Sequence, residues 1–389
     1  MVNVNQLLQA MVQKEASDLF FSAGARVSMK IDGVLRPISL PELTAETSQQ
    51  LAYELMSEEQ IRRFETHREL NFGYGIPGVG RFRVNVFRQR GAVAMVIRRL
   101  STSIPSLAEL GLPPVLERLA LERRGLILVV GATGSGKSTT LASMIDYRNS
   151  NSPGHILTVE DPVEFVHRHK KSIVNQREVG TDTDSYETAL VNALREAPDV
   201  ILIGEIRDRD TMQQVINFAN TGHLCLSTLH SINSHQALTR IMNFFPLETR
   251  QTVLFDLAAC LVGIVSQRLV RTVKGGRVPA VEVFTADYHM KQMIREGRVD
   301  ELKDMMESAT SEDMQTFDQA IVKLYKAGII DYEEAQANAD SPRQLHLLIH
   351  GSGEVQFDGR DSKSRAPGSS AKSSAAADSL PEIDLPPIS

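Results

Sequence analysis

The first hundred residues alternate between helical and strand-like spacing of apolar positions, which predicts a small mixed α/β domain. A short amphipathic helix is predicted over residues 3–14, because Leu7 and Met11 recur on one side of it. The Asp32-Gly33 pair stands between two segments of alternating apolar residues and predicts a tight β-hairpin turn. The other predicted elements are strands between residues 18 and 40, helices over 44–56 and 57–65, and strands over 81–88 and 92–99.

From about residue 115 the pattern changes to apolar runs that alternate with amphipathic segments. This order is typical of a largely parallel sheet covered by helices, with ligands bound at the carboxyl ends of the strands. Strands are predicted over 126–130, 155–160, 200–203 and 223–228, and helices over about 138–149, 185–196 and 209–220. Residues 234–350 are predicted to be helical with few breaks.

The domain organisation follows from these patterns and from two segments that lack them. Residues 101–114 are rich in turn formers and predict a linker. The segment from Gly351 has low complexity and too few large apolar residues to pack, so it is predicted to be disordered. The predicted units are an N-terminal domain over 1–100, the linker over 101–114, a nucleotide-binding core over 115–288, a helical region over 289–350 and a tail over 351–389.

The composition is that of an ordinary globular protein. The chain has 389 residues, 42% apolar and 23% charged, which is enough for two domains. Its net charge of −6 argues against nucleic acid as a partner, because non-specific binding needs a basic surface. The N-terminus lacks a signal-peptide pattern, and the longest apolar runs are too short to span a bilayer. We therefore expect a cytoplasmic protein without direct membrane insertion, in which Cys225 and Cys260 are buried thiols of a reducing compartment.

The most specific chemical signal is a phosphate-binding loop. Residues 131–138 read GATGSGKS and directly follow the apolar run 126–130, so a strand, a glycine-rich turn and a helix are predicted in that order. Lys137 would reach the β- and γ-phosphates of a nucleoside triphosphate, and the Ser138 hydroxyl would ligate Mg²⁺. The candidate nucleotide-binding residues are Gly131, Ala132, Thr133, Gly134, Ser135, Gly136, Lys137, Ser138 and Thr139.

Acidic residues follow two neighbouring predicted strands. The strand over 200–203 ends in Gly204-Glu205, and Glu205 is the best candidate for the general base of hydrolysis. The strand over 155–160 ends in Glu160 and Asp161, one of which would bond metal-bound or attacking water. We assign Glu160 to catalysis and Asp161 to the metal; a purely structural turn is the alternative.

Two histidines frame the fourth predicted strand of the core. His223 and His230 are seven residues apart, so in an extended segment their side chains face opposite sides. One could sense the γ-phosphate while the other ties the strand to its neighbours. His230 is accordingly a candidate catalytic residue and His223 a candidate nucleotide-binding residue, although histidines at strand ends are as often structural.

These motifs together resemble a known family. The segments that carry the resemblance are 131–139, 158–164, 193–208 and 221–230. They are similar to the secretion and type IV pilus ATPase superfamily, and within it to the pilus retraction ATPases of the PilT/PilU group. The chain is too short for the extra N-terminal domains of assembly and secretion motors, and it lacks the paired Cys-x-x-Cys insert that many of them carry. Residues 175–185, residues 314–319 and the long C-terminal extension are most similar to PilU members.

One segment departs from the PilT pattern. Residues 289–296 read HMKQMIRE where the PilT helix commonly reads AIRNLIRE. Retraction by this chain alone and retraction only alongside a PilT-type partner therefore remain alternatives.

The resemblance implies an α/β architecture with a PAS-like N-terminal domain, a RecA-like P-loop ATPase domain and a helical C-terminal region. Family members form hexameric rings that bind the nucleotide between the two domains, and adjacent subunits contribute to its surroundings. Some N-terminal arginines would then act as arginine fingers. The alternative is that they only form a charged, solvent-exposed face of the sheet. The candidates are Arg81, Arg83, Arg90 and Arg98, of which the first two share one face of a predicted strand.

The function implied is that of a homohexameric ATPase that uses ATP and Mg²⁺ to power pilus retraction and twitching motility. The implied partners are a PilT-type paralogue and an inner-membrane pilus platform protein, which would hold the chain at the cytoplasmic side of the inner membrane. Two alternatives remain: an accessory nucleotide-binding regulator with weak turnover, and a RecA-like nucleic-acid translocase.

Overall fold

A computed structural model describes residues 3–100, 103–308 and 313–350. The predicted disordered tail over 351–389 lies outside these residues. The chain forms two compact units, one ending at Leu100 and the other running over Ser101–Ile349. Within the described ranges, no helix combines the length and the apolar character that a bilayer span requires.

The first unit is an antiparallel sheet of six strands, in the order β3-β2-β1-β6-β5-β4, packed against three helices. Asp32 and Gly33 form the turn between β2 and β3, both with positive φ (49° and 79°), as a tight hairpin requires. The prediction of this hairpin is confirmed. The elements are α1 (Val4–Gln13), β1 (Asp18–Phe21), β2 (Ser28–Ile31), β3 (Val34–Pro37), α2 (Ala45–Tyr53), α3 (Glu58–His67), β4 (Glu69–Ile76), β5 (Gly80–Gln89) and β6 (Ala92–Arg99).

Strand β4 was missed from the sequence. Its pattern is interrupted by Gly73 and Gly75, which are unusual in a strand interior and obscure the alternation of Leu70 and Phe72 toward the core. The antiparallel partner β5 supplies the pairing that fixes it as a strand.

The second unit is built on a sheet of seven strands in the order β13-β12-β7-β11-β10-β8-β9, with helices on both faces. Only the edge strand β13 is antiparallel to its neighbour. Its first elements are α4 (Val115–Ala120), β7 (Gly125–Val130), α5 (Lys137–Asn151), β8 (Gly154–Glu160), β9 (Ser172–Glu178), α6 (Tyr186–Ala193), β10 (Val200–Ile203), α7 (Arg209–Asn220), β11 (Leu224–Leu229), α8 (Ser234–Asn243) and α9 (Arg250–Cys260). It continues with β12 (Leu261–Arg271), β13 (Arg277–Thr285), α10 (Tyr288–Arg295), α11 (Leu302–Ser308), α12 (Phe317–Lys326), α13 (Tyr332–Asn338) and α14 (Pro342–His350).

The prediction of near-continuous helix over 234–350 is wrong, because β12 and β13 form a long hairpin inside it. The apolar run 257–265 was the source of the error. Helix α9 ends at Cys260 and β12 begins at Leu261, so one uninterrupted apolar segment belongs to two elements. Short apolar runs do not distinguish a buried helix from a buried strand.

The parallel strands place the candidate site residues at one edge of the sheet. Every residue of β7 is buried, as are those of β10 and β11, which is the pattern of a parallel sheet covered on both faces. Since these strands run in the same direction, the segments after their carboxyl ends lie side by side. Cys225 and Cys260 are buried in the same core, and burial raises the pKa of the Cys260 thiol to about 12.

Gly125, at the start of β7, is predicted to tolerate no side chain. Its φ is +115°, and a Cβ there would stand 2.4 Å from Val262 Cγ2 and 2.7 Å from the Cys260 carbonyl oxygen. Gly222 is a matched control, because its φ is +105° but a Cβ would meet no atom within 4 Å. Both substitutions by alanine strain the backbone at positive φ. Gly125→Ala also overpacks the core, which should destabilise the fold by about a further 1–3 kcal/mol. Urea unfolding followed by circular dichroism should show the lower midpoint for Gly125→Ala; equal midpoints would contradict this account.

Candidate nucleotide site

The glycine-rich loop begins where β7 ends and returns closely upon itself. Gly131 has φ +155°, and a Cβ there would stand 2.4 Å from Ser135 Oγ and 2.5 Å from the Gln267 carbonyl oxygen. Gly134 and Gly136 also have positive φ, of 78° and 92°. These conformations turn the chain directly into α5, whose first residue is Lys137.

The side chain of Lys137 is hydrogen-bonded to the backbone of the phosphate-binding loop. Its Nζ donates hydrogen bonds to the carbonyl oxygens of Gly131 (2.9 Å) and Ala132 (3.0 Å), and the side chain is buried. Burial lowers the pKa of Lys137, and the nearby carboxylates of Glu205 and Glu164 partly oppose that shift. A buried ammonium bonded only to neutral carbonyl groups is well placed to receive an anionic phosphate.

The loop residues fit a bound phosphate. Ser135 Oγ is buried and finds no hydrogen-bond partner among the described residues, and it lies in the cradle formed by the glycines. The described ranges contain no group of three or more His, Cys, Asp or Glu residues that could hold a metal ion by itself. A Mg²⁺ ion near Ser138 and Asp161 would therefore depend on phosphate oxygens and water, as Mg²⁺ commonly does.

Glu205 lies in a charged cluster at the same edge of the sheet. Its Oε1 is 2.9 Å from His230 Nε2, and its Oε2 accepts a hydrogen bond of 2.8 Å from Arg207 Nε. Arg207 also lies 3.5 Å from Asp161 Oδ2. The structure thus brings together Glu205, His230 and Asp161, and Arg207 is the link between them that sequence reasoning missed.

Glu160 occupies a more desolvated position at the end of β8. Its Oε1 accepts hydrogen bonds from Thr158 Oγ1 (2.7 Å) and from Gln176 Nε2 (3.2 Å). Burial raises the pKa of Glu160, and these donors oppose the shift only in part. The carboxyl group is therefore fixed in direction and easier to protonate than an exposed one.

Tyr186 is a second residue that the sequence did not single out. A Cβ on Gly204 would stand 3.0 Å from the Tyr186 hydroxyl oxygen, so the glycine before Glu205 leaves room for this phenol. Burial raises the pKa of Tyr186, and the charges of Asp161, Glu160 and Glu205 contribute to it. The phenol is therefore neutral and can donate a hydrogen bond among these acids.

His223, a predicted nucleotide-binding residue, lies at the opposite end of β11 from the phosphate-binding loop of the same chain. His223 precedes β11 at the amino end, whereas His230 follows the carboxyl end, and six strand residues place them about 20 Å apart. The His223 ring packs edge-on against Phe218 at 5.8 Å, and its Nδ1 lies 3.2 Å from Thr221 Oγ1. Within this chain His223 joins the start of β11 to α7 and does not contact the loop.

The four candidate arginines do not form one group. Arg83 and Arg98 are directly opposite each other on β5 and β6, and Arg98 Nε bonds Asp18 Oδ1 at 2.7 Å. Arg81 shares their end of the sheet and the face of Arg83. Arg90 lies in the β5–β6 turn with φ 52°, nine residues from Arg81, which is about 30 Å along a strand. One copy of the domain therefore cannot direct Arg90 and the other three to the same phosphate.

Strand β12 supports the loop from the other side. Gln267 Oε1 accepts a hydrogen bond of 2.8 Å from Thr140 Oγ1, and its Nε2 lies 2.9 Å from where a Cβ of Gly136 would stand. On the opposite face of β12, Arg268 lies over the Phe317 ring at 3.9 Å and pairs with Asp340 at 2.6 Å. No sequence signal pointed to Gln267, because this segment was predicted to be helical.

A family model, curated relatives and a solved structure all match this chain, and all of them belong to one family of ATPases. Residues 1–337 match the family model described as Type II/IV secretion system protein. The type IV pilus ATPase PilU of Pseudomonas aeruginosa is 51% identical over 88% of this chain and 90% of that protein. The type IV pilus retraction ATPase PilT of the same organism is 40% identical over 88% of this chain and 100% of that protein. A crystal structure of the pilus retraction motor PilT with bound ADP has a TM-score of 0.83 at 43% identity, covering 89% of this chain and 99% of that one.

Because the carboxyl group of Glu160 is desolvated, we expect its replacement by a neutral side chain to increase the stability of the fold in a pH-dependent way. Because its pKa in the folded chain is raised above 4.5, the wild type is penalised for ionising the group as pH rises beyond that value. Glu160→Gln retains an acceptor for Thr158 and removes the charge. Its urea midpoint should equal that of the wild type near pH 4, exceed it increasingly as pH rises, and stay higher by a constant amount above the raised pKa.

Glu248→Gln is the matched control, since Glu248 is an exposed carboxylate of the same unit, between α8 and α9. It should leave the midpoint nearly unchanged from pH 4 to 8. A Glu160→Gln variant less stable than the wild type at pH 8 would contradict the assignment of a desolvation penalty.

Proposed function

Because this chain belongs to the Type II/IV secretion system protein family and, within it, to the PilT/PilU group of type IV pilus ATPases, we propose that it hydrolyses ATP to power pilus retraction and twitching motility. The observation that carries the proposal is the placement of Lys137 and Glu205 at one edge of one sheet. A phosphate-binding loop facing a fixed carboxylate is the arrangement that hydrolysis of a terminal phosphate requires.

Each residue has a defined part in this reaction. The loop amides and Lys137 bind the phosphates, and Ser138 with Asp161 would hold Mg²⁺, which neutralises charge on the phosphate oxygens. Glu205 orients the attacking water and accepts its proton. His230 and Arg207 hold the two carboxylate oxygens and so fix the direction of that base.

The finer architecture is part of the same proposal. The N-terminal unit is PAS-like, the second unit contains a RecA-like ATPase core, and six copies form a ring that turns hydrolysis into domain motion. Arg81, Arg83 and Arg98 supply positive charge to the phosphates as arginine fingers, because they share one end of their sheet. Arg90 has a separate role, since the length of β5 separates it from them.

The proposed partners are a PilT-type paralogue and an inner-membrane pilus platform protein. Support for a pilus partner comes from the names of the relatives, which are pilus ATPases. The chain would act at the cytoplasmic side of the inner membrane, attached through the pilus machinery. Its net charge of −6 supports protein partners over nucleic acid.

Glu205→Gln is expected to separate hydrolysis from binding. The amide cannot accept the proton of water, so kcat should fall by a factor of about 10² to 10⁴. Nucleotide affinity should change little, because the loop and Lys137 are intact. Phosphate release and ATP binding by purified protein measure the two effects, and Lys137→Ala should lose binding itself.

Glu248→Gln serves again as the control, because it removes an exposed carboxylate of the same unit and should retain turnover. Equal and near-zero rates of the wild type and Glu205→Gln, with binding intact, would instead make the chain a nucleotide-gated regulator. Turnover stimulated by DNA would overturn the pilus assignment in favour of a translocase.

Loss of the gene is expected to impair retraction in the cell. Deletion in a strain that retains a PilT-type paralogue should reduce twitching and the number of pili that retract against load, observed with labelled pili. Deletion of both genes should abolish retraction and leave more surface pili. Normal twitching after the single deletion, together with retraction in the double deletion, would rule out this role.

A further inference from the structure

Thr228, in β11, bonds the peptide groups on both sides of Glu205. Its Oγ1 donates a hydrogen bond of 2.8 Å to the carbonyl oxygen of Gly204, the residue before the base. Its own carbonyl oxygen accepts a hydrogen bond of 3.0 Å from the backbone nitrogen of Ile206, the residue after the base. Thr228 is buried, so both bonds are shielded from bulk water. A single residue therefore holds the chain immediately before and immediately after Glu205.

Glu205 lies just beyond the regular pairing of its strand. The ladder between β10 and β11 ends at the pair of Ile203 and Ser227, and β10 itself ends at Ile203. A peptide group is planar, so the two peptide groups that flank a Cα atom determine both of its backbone dihedral angles. Because Thr228 bonds one atom of each of these groups, it restricts the dihedral angles of Glu205 and, with them, the direction in which the side chain leaves the backbone.

The same part of the chain also holds the carboxylate of the base. The Nε2 atom of His230, two residues after Thr228, lies 2.9 Å from Glu205 Oε1. In the sheet order β11 stands between β10 and β7, and Thr228 is in register with Val129 of β7. Val129 is two residues before Gly131, where the phosphate-binding loop begins. The end of β11 therefore relates the position of the base to the position of the loop.

The neighbouring residue Ser227 makes a comparable bond without reaching the base. Its Oγ donates a hydrogen bond of 2.7 Å to the carbonyl oxygen of Ile203, and the residue is fully buried. Ser227 and Thr228 thus bond two consecutive carbonyl groups. The carbonyl group of Gly204 belongs to the peptide group that includes the nitrogen of Glu205, whereas that of Ile203 is one residue farther away. A contribution to stability is therefore common to both hydroxyl groups, and control of the base belongs to Thr228.

We propose, on the premise that the chain hydrolyses ATP through Glu205 as stated above, that Thr228 is a positioning residue for this reaction. Its hydroxyl group fixes the peptide group before Glu205 and so keeps the carboxylate directed at the attacking water, while His230 holds one carboxylate oxygen. Thr228 acts only through the base. Loss of the hydroxyl group should therefore slow the chemical step and leave the affinity for ATP, which depends on the loop, unchanged.

The first test removes the hydroxyl group from the full chain. Thr228→Val keeps the shape of the side chain, and kcat for phosphate release should fall about tenfold because the base is less well directed. The Kd for Mg²⁺-ATP, measured by isothermal titration calorimetry, should change less than about twofold. Thr228→Ala lacks the same hydroxyl group without an added methyl group and should show the same loss of kcat. Thr228→Ser keeps the hydroxyl group, so its kcat should fall less than about threefold.

Ser227→Ala is the matched control, because it also removes a buried hydroxyl group that bonds a backbone carbonyl group. Its urea midpoint should fall, as that of Thr228→Val should, since each variant leaves a buried acceptor without its donor. Its kcat should nevertheless stay within about twofold of the wild type. Equal losses of kcat in Ser227→Ala and Thr228→Val would overturn the positioning role, and so would an unchanged kcat in Thr228→Val.

A double variant shows whether Thr228 acts through the base. In Glu205→Gln the base is already lost, so the addition of Thr228→Val should lower kcat by less than about a further twofold. A further tenfold fall, or about that, would show that the two residues act independently and would overturn the proposal. A wild type that binds ATP without turnover would refute the proposed function, and the role of Thr228 with it. An active wild type that loses kcat in Glu205→Gln but not in Thr228→Val would refute the role of Thr228 alone.

Discussion

The nucleotide site depends on the parallel pairing of β7 with its two neighbours. Val130 is in register with Leu229 of β11 and with Ser266 of β12. The residues that follow these three are Gly131, His230 and Gln267, so the loop begins between a histidine and a glutamine. In the same way Ile203 is in register with Val159, which brings the segments of Glu205 and Glu160 together. Hydrophobic burial of the strands thus fixes the positions of polar groups that are far apart in sequence.

The charges at this edge are arranged at some cost in stability. Lys137 is buried with its pKa lowered, and Glu160 is desolvated with its pKa raised, whereas a surface placement would avoid both penalties. Arg207 compensates in part because it joins the carboxylates of Glu205 and Asp161. Such compensated strain is characteristic of sites that must bind a highly charged ligand and release it again.

The sequence was informative where a local pattern determines the structure. The loop around Lys137, the Asp32-Gly33 hairpin and the strand before Glu205 each follow from a few adjacent residues, and the structure has all three. It was uninformative where a contact depends on distant pairing. Gln267 reaches the site because of the register of β12, and Tyr186 reaches it through the space left by Gly204. No local sequence pattern identifies either residue. The run over 257–265 shows the same limit, since apolar character alone does not locate the end of α9.

The alternation of side chains along β12 has a mechanical consequence. Gln267 touches the loop on one face, and the adjacent Arg268 holds Phe317 and Asp340 on the other. Because Gln267 and Arg268 are adjacent residues of one strand, a single peptide unit separates the contact with the loop from the contacts with the C-terminal helical region. The same short piece of backbone therefore sets the positions of both contacts.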